Sequence, residues 1–340
     1  MKALEDQRFN YEGRSDMEKI KLEDVAKYAG VSPTTVSRIL NNRGPISEKT
    51  RNKVNEAIEE LGYFPNEIAR SLHGSKTNLI GILFPNISNP FYGEMVNELE
   101  RILAEKDYKV LICNTNNNAD KETKYLKMLL ANQVDGIIVG SRNRPSEIYQ
   151  KANLPIVSID RFVSKKVPIV RSDNYAGACL ATEYLIEKKC KKIALFTGSQ
   201  KEEILRGDAR IKGYQKTMKK HQLESLIFEV SFDEKEEYQK IKVSEYLATN
   251  PDIDGIFASG DTLAGIINTV LNQSGRQIEI VGYDGTSTFL NFCGNISTIR
   301  QPIEDMAKRA IEVMLESIAG KNHEENQEFV LPVQLIERIY

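Results

Sequence analysis

Between Leu22 and Asn41 the chain reads LEDVAKYAGVSPTTVSRILN, and its second half carries groups able to make directional polar contacts. At helical spacing Val36, Ile39 and Leu40 point to a core, while Thr34, Ser37, Arg38 and Asn41 lie on the opposite side. Hydroxyl, amide and guanidinium groups without bulky neighbours are what a helix needs to enter the DNA major groove and read base edges. The competing assignment is a structural helical hairpin that happens to expose polar residues. A second set lies downstream. Asp173, Arg210 and Asp284, in SDN, ARIKGY and GYDG, each follow a strand-like run or stand near a helix start. Carboxylates and a guanidinium fork bind hydroxyl-rich ligands such as sugars by charge-assisted hydrogen bonds. Capping of helices, or salt bridges between elements, would use the same residue types. Asn89-Pro90-Phe91-Tyr92 also opens a helix after a strand. Either Phe91 or Tyr92 can stack on a ligand ring, or both can pack beneath the loop.

The elements that must hold these groups are legible from spacing. Leu22, Val25, Ala26 and Ala29 form one apolar stripe, Gly30 permits a bent or left-handed turn, and Val31 can plug the angle between two helices. Ser32 suits a helix cap and Pro33 a first helical position. A third helix starts at a Ser47 cap, buries Val54, Ala57, Ile58 and Leu61, and stops at Gly62. These helices define a headpiece over 19–63, preceded by a polar, aperiodic stretch (1–18) read either as a disordered extension or as an upstream start. Residues 64–77 read as a short helix and linker, with Asn66 as cap and Gly74 as stop.

From Leu79 the texture changes to alternating β and α signals. Strand-like runs occur at 79–84, 108–113, 135–139, 155–160, 192–197, 254–259 and 278–283. Amphipathic helical stretches separate them at 91–106, 121–132, 174–189, 209–221, 235–249 and 261–273, with a last helix at 303–319 and a final strand-like run. Apolar strands alternating with helices predict an α/β fold with parallel sheets covered on both faces. So many units exceed one open sheet. Residues 78–340 are therefore expected to form two Rossmann-like lobes, lobe 1 from about 78–172 and 303–320, lobe 2 from about 173–300 and 324–340. The carboxyl ends of the strands should face the cleft between the lobes.

Composition sets limits on function. The chain of 340 residues is 41% hydrophobic and 28% charged, which is a globular composition, and its net charge of −2 does not announce a nucleic-acid binder. From Lys19 to Lys76 ten Lys and Arg stand against seven Asp and Glu, a small excess that supports DNA contact only weakly. Cys113, Cys179, Cys190 and Cys293 form no CxxC pair, and His73, His221 and His323 are scattered, so no metal site or catalytic triad is indicated. Widely spaced cysteines without disulfide patterning, no apolar leader and no run of membrane-spanning length point to a cytoplasmic protein without a membrane partner. No P-loop, no GxGxxG after a strand and no acid–base cluster speaks for an enzyme, and no cofactor is implied.

Read together, LEDVAKYAGVSPTTVSRILN, ISEKTRNKVNEAIEELGYFPNEIARSL, LIGILFPNISNPFYGEM, VDGIIV, SDNYAGACLATEYL, ARIKGY, VGYDG and STIRQP resemble the lactose/galactose repressor family of bacterial transcription regulators, in that family's order and spacing. The wording around NNNADKETKYLKMLLANQVDGII and VGYDG is similar to Gram-positive repressors of sucrose and ribose utilisation. The resemblance implies a helix-turn-helix headpiece, a hinge helix and two lobes of the periplasmic-binding-protein type. It places Pro33, Thr34 and Arg38 against base edges and Ser32, Thr35, Ser37 and Asn41 on phosphates. It also implies that the 66–73 helix orders on DNA and pairs with its copy in the minor groove, Asn66 capping it, Ala69 allowing close approach and Leu72 wedging between base pairs.

By the same resemblance Arg161 faces the cleft, and the helices at 91–106 and 303–319 contribute to a homodimer. One departure stands out. Many family members carry an asparagine where Gly260 precedes Asp261, so part of the usual sugar contact is missing or passes to Ser259 or Asp261. The expected partners are a near-palindromic double-stranded operator and a small sugar or sugar phosphate. A regulator answering to a corepressor protein, and a sugar-binding protein without a regulatory role, are the alternatives. The sequence names neither the sugar nor the direction of its effect.

Overall fold

The computed structural model describes residues 20–40, 43–64, 76–131, 134–141, 143, 147–198, 208–231 and 234–338. The chain divides into two compact units, Met1–Ser75 and Lys76–Tyr340.

In the first unit, α1 (Leu22–Ala29), α2 (Pro33–Leu40) and α3 (Glu48–Leu61) pack as a three-helix headpiece. Local chemistry sets each boundary. Lys21 N–H is held by the Asp24 carboxylate at 2.8 Å at the start of α1. Gly30, at φ +66°, ends that helix in the left-handed conformation, and Val31 N–H closes on Ala26 C=O at 3.0 Å. Ser32 Oγ accepts from Thr35 N–H at 3.2 Å, and Ser47 Oγ from Thr50 N–H at 3.3 Å, capping α2 and α3. Val25, Ala26, Ala29, Val36, Ile39, Val54 and Ala57 form the core.

The second unit contains two six-stranded sheets. Lobe 1 has the order β11-β5-β4-β3-β1-β2, built from β1 (Leu79–Phe84), β2 (Lys109–Asn114), β3 (Gly136–Val139), β4 (Ile156–Ile159), β5 (Ile169–Ser172) and β11 (Glu328–Leu331). Lobe 2 has the order β12-β10-β9-β8-β6-β7, from β6 (Ile193–Thr197), β7 (Leu226–Glu229), β8 (Gly255–Ala258), β9 (Glu279–Asp284), β10 (Ser297–Arg300) and β12 (Gln334–Ile336). The pairings are parallel except β10 with β12. Central strands are buried on both faces, as in LIGILF and EIVGYD, which is why they read as continuous apolar runs.

Helices cover both faces of each sheet. α4 (Pro90–Ala104) and α12 (Ile303–Ile318) bury one face of the lobe 1 sheet. α5 (Ala119–Ala131) and α6 (Glu147–Lys151) bury the other. In lobe 2, α9 (Glu236–Thr249) and α10 (Asp261–Ser274) lie opposite α7 (Asn174–Glu187) and α8 (Ala209–Lys220). The short α11 (Ser287–Phe292) follows β9. Each fully buried Leu or Ile in these layers contributes about 1.5–3 kcal/mol by leaving water.

The chain crosses between lobes after β5, after β10 and between β11 and β12. The expected assignment of 324–340 to lobe 2 is therefore corrected. Residues 328–331 pair with β5 in lobe 1, and 334–336 pair with β10 in lobe 2. Pro332 separates the two runs, which read in sequence as one strand.

Candidate functional site

Arg210 is the centre of a polar cluster at the carboxyl ends of the strands. It is the second residue of α8, and its N–H is held by the Asp208 cap at 2.9 Å. Its Nε donates to Asn174 Oδ1 at 2.9 Å, its Nη1 donates to Ser259 C=O, and its guanidinium lies 3.8 Å over the centre of the Tyr283 ring. Burial alone would lower its pKa. Tyr283 and the carboxylates of Asp160, Asp284 and Asp208 outweigh that and hold the charge more firmly than in water.

The cluster joins both lobes. Asp160, just past β4 and left-handed at φ +63°, accepts from Asn174 Nδ2 at 2.8 Å. Arg161 reaches Asp160 at 3.5 Å and, across the cleft, Asp208 at 3.6 Å. At the end of β9, Asp284 Oδ1 accepts from Gln301 Nε2 at 2.7 Å, and Gln301 Oε1 accepts from Ser172 of lobe 1 at 2.7 Å. Asp261 is buried beneath, accepting from Thr298 Oγ1 and from Gly285 N–H, each at 2.7 Å. Burial first, then the neighbouring Asp284 charge, push the Asp261 pKa up to about 8.

The structure thus brings Arg161, Arg210, Asp261 and Asp284 together. It gives Asp173 a different task. That carboxylate caps α7 by accepting from Ala176 N–H at 2.9 Å, and the next residue, Asn174, is the one that meets Arg210. Phe91 and Tyr92 lie in the lobe 1 core, each 5% exposed. The Tyr92 ring centre is 5.2 Å from those of Phe84 and Phe91, so both rings are taken up by packing at the start of α4. Asp160, Asn174, Asp208, Tyr283 and Gln301 were not singled out by sequence reasoning. Asn174, Tyr283 and Gln301 sit inside SDN, VGYDG and STIRQP, so a signal was present without a way to rank positions within each motif.

In the headpiece, Ser32, Pro33, Thr34 and Arg38 are exposed on α2, and Thr35 and Ser37 are half-buried, opposite the buried Val36 and Ile39. Lys27, Arg43, Lys49 and Lys53 are exposed on the same unit. A helix end and outer face of this chemistry can meet both base edges and phosphates. Asn41, Asn66, Ala69 and Leu72 lie outside the described residues. Among the described residues there is no group of three His, Cys, Asp or Glu placed to hold a metal, and no helix is long and apolar enough to cross a membrane.

A helix-turn-helix headpiece followed by two parallel α/β lobes with a charged cleft is the architecture of a ligand-responsive DNA-binding regulator. Comparison with known proteins agrees with it. Residues 21–66 match the family of bacterial regulatory proteins, lacI family, and residues 80–322 match the periplasmic binding protein domain. The chain belongs to the lacI family of bacterial regulatory proteins. It is 42% identical to the sucrose operon repressor of Pediococcus pentosaceus, over 94% of this chain and 98% of that one. The ribose operon repressor of Halalkalibacterium halodurans is 35% identical over 93% of this chain and 96% of its own length. Among solved structures, the transcriptional regulator CelR–cellobiose complex superposes with a TM-score of 0.68 at 28% identity, over 94% of this chain and 99% of that one.

Proposed function

We propose that this protein is a cytoplasmic, homodimeric repressor of a carbohydrate-utilisation operon, and that a small sugar bound between its lobes sets its affinity for the operator. The observation that carries the reading is the cleft cluster, in which a fixed guanidinium and several carboxylates from both lobes converge beside Tyr283. Such groups match the alternating donors and acceptors of sugar hydroxyls. A two-fold dimer presents α2 twice, so the operator is a near-palindrome. Thr34 and Arg38 read bases, with Arg38 placed for a bidentate contact to guanine, while Ser32, Thr35 and Ser37 hold phosphates. The relatives that are sucrose and ribose operon repressors favour sucrose, fructose or ribose as the effector class.

Two measurements on the purified full chain test this. Selection of bound DNA from a random pool is expected to enrich a near-palindrome. Thermal melting with sucrose, fructose, ribose and their phosphates is expected to show stabilisation by at least one of them. Failure to enrich any palindrome rejects a sequence-specific repressor. Enrichment without a response to any sugar moves the effector role to a corepressor protein.

A further inference from the structure

Three glycines stand near Asp261 and Asp284, and packing explains two of them. Gly282 on β9 lets the Asp261 carboxylate lie against the strand, where a Cβ would collide with Oδ1. Gly285 has φ +60°, and a Cβ there would stand 2.5 Å from Arg300 Cα. Gly260 has neither reason. Its φ of −169° and ψ of 149° are extended values that any residue adopts. It is the N-cap of α10, a position where Ser, Thr, Asn or Asp would add a side-chain bond, and it adds none. Chain neighbours apart, a Cβ at 260 would have one described heavy atom within 4 Å, Asp284 Oδ2, at an ordinary contact distance of 3.7 Å.

The missing side chain therefore leaves room at Asp284 Oδ2 that neither backbone nor core requires. The other oxygen of that carboxylate accepts from Gln301. Carboxylate oxygens accept more than one hydrogen bond, so Oδ2 suits a ligand hydroxyl whatever else it meets. The surrounding charge narrows the ligand. Arg161 faces Asp160 and Asp208, and Arg210 stands among the carboxylates of Asp160, Asp208 and Asp284, so the two guanidinium charges are already balanced. A hydroxyl can donate to Asp284, whereas a phosphate can only accept and is repelled.

We infer that Gly260 is a specificity-determining position of the cleft, withholding a side chain so that a ring of an uncharged saccharide can bring a hydroxyl to Asp284 Oδ2. The inference rests on the sugar-site reading given above. It is tested by calorimetric titration of the full chain with sucrose, fructose, ribose and fructose 6-phosphate, comparing wild type with Gly260→Ala, Gly260→Thr and Gly260→Leu. Melting of each variant without ligand checks folding, and Gly260→Thr serves if Gly260→Leu does not fold. An uncharged sugar is expected to bind wild type. Gly260→Ala should bind it nearly as well, and the Thr and Leu variants about tenfold or more weakly, with melting preserved. Folded Thr or Leu variants that bind like wild type overturn the role of Gly260. Tighter binding of fructose 6-phosphate than of fructose overturns the uncharged class. A wild type that binds none of the four rejects the sugar-site reading itself, and this inference with it, before any variant is compared.

Discussion

Asp261 is 3% exposed beside a second carboxylate, and its pKa of about 8 makes the fold pH-sensitive. In an unfolded chain an aspartate titrates near 3.9. Between those values the folded protein keeps a proton that the unfolded chain has released. The stabilisation is complete below the unfolded pKa and is lost as pH rises through the folded one. Urea unfolding of wild type should therefore weaken as pH rises from roughly 5 to 8, by no more than about 1.4 kcal/mol per pH unit from this group. Asp261→Asn, which has no proton to lose, should flatten that slope, and an unchanged slope would assign the effect elsewhere. On the headpiece, Arg38→Ala should weaken the selected operator about tenfold to a hundredfold and relax the preference for one base pair. Uniform weakening across all sequences would make Arg38 a phosphate contact instead. Residue roles were only partly legible beforehand. Asp173 and Asn174 are adjacent, and only the backbone path into α7 decides that the aspartate caps the helix while the asparagine meets Arg210.

At the scale of elements, periodicity carried the helices. Val25, Ala26 and Ala29 at helical spacing and the punctuation by Gly30 and Gly62 define α1 and α3 with no tertiary information. Four-residue strands were harder. IVRS in β5 and LIFE in β7 are too short for periodicity to separate from loops, and parallel pairing, β5 with β11 and β7 with β6, holds them in place. The headpiece is a small unit whose core has few residues to spare. Ile39→Ala removes one of them and is expected to cost about 2–5 kcal/mol, enough to unfold so small a unit. Circular dichroism of the isolated substitution in the full chain should show one melting transition shifted down or lost while the larger transition stays. A single transition lowered as a whole would mean that the two units unfold together.

At the scale of the whole second unit, two more polar bridges tie lobe to lobe besides Asp160–Asn174 and Arg161–Asp208. One is Ser172–Gln301–Asp284. The other is the Glu94 carboxylate on α4, which accepts from Ser287 N–H at 2.8 Å at the start of α11. Gln301→Leu keeps most of the volume and removes one hydrogen bond from each of two buried groups, Ser172 and Asp284, at about 0.5–3 kcal/mol for each. Hydrogen exchange around Asp284 should accelerate and sugar affinity should fall. Unchanged exchange there would show that the packing of α12, and not Gln301, holds the lobes in register. The two-lobed plan could be read from the alternation of strands and helices, but these two bridges could not, because they join residues more than a hundred positions apart.

The division of the last strands also governs the order in which the molecule can be completed during synthesis. β11 finishes the sheet of lobe 1 and β12, three residues later, finishes that of lobe 2. The headpiece leaves the ribosome first with all of its core residues, whereas lobe 1 lacks its last strand until residue 331 has emerged and lobe 2 until residue 336. Until then β5 in one sheet and β10 in the other stand as edge strands, whose unpaired backbone groups β11 and β12 later meet. A nascent chain thus completes its helix-turn-helix headpiece more than two hundred residues before it completes either lobe.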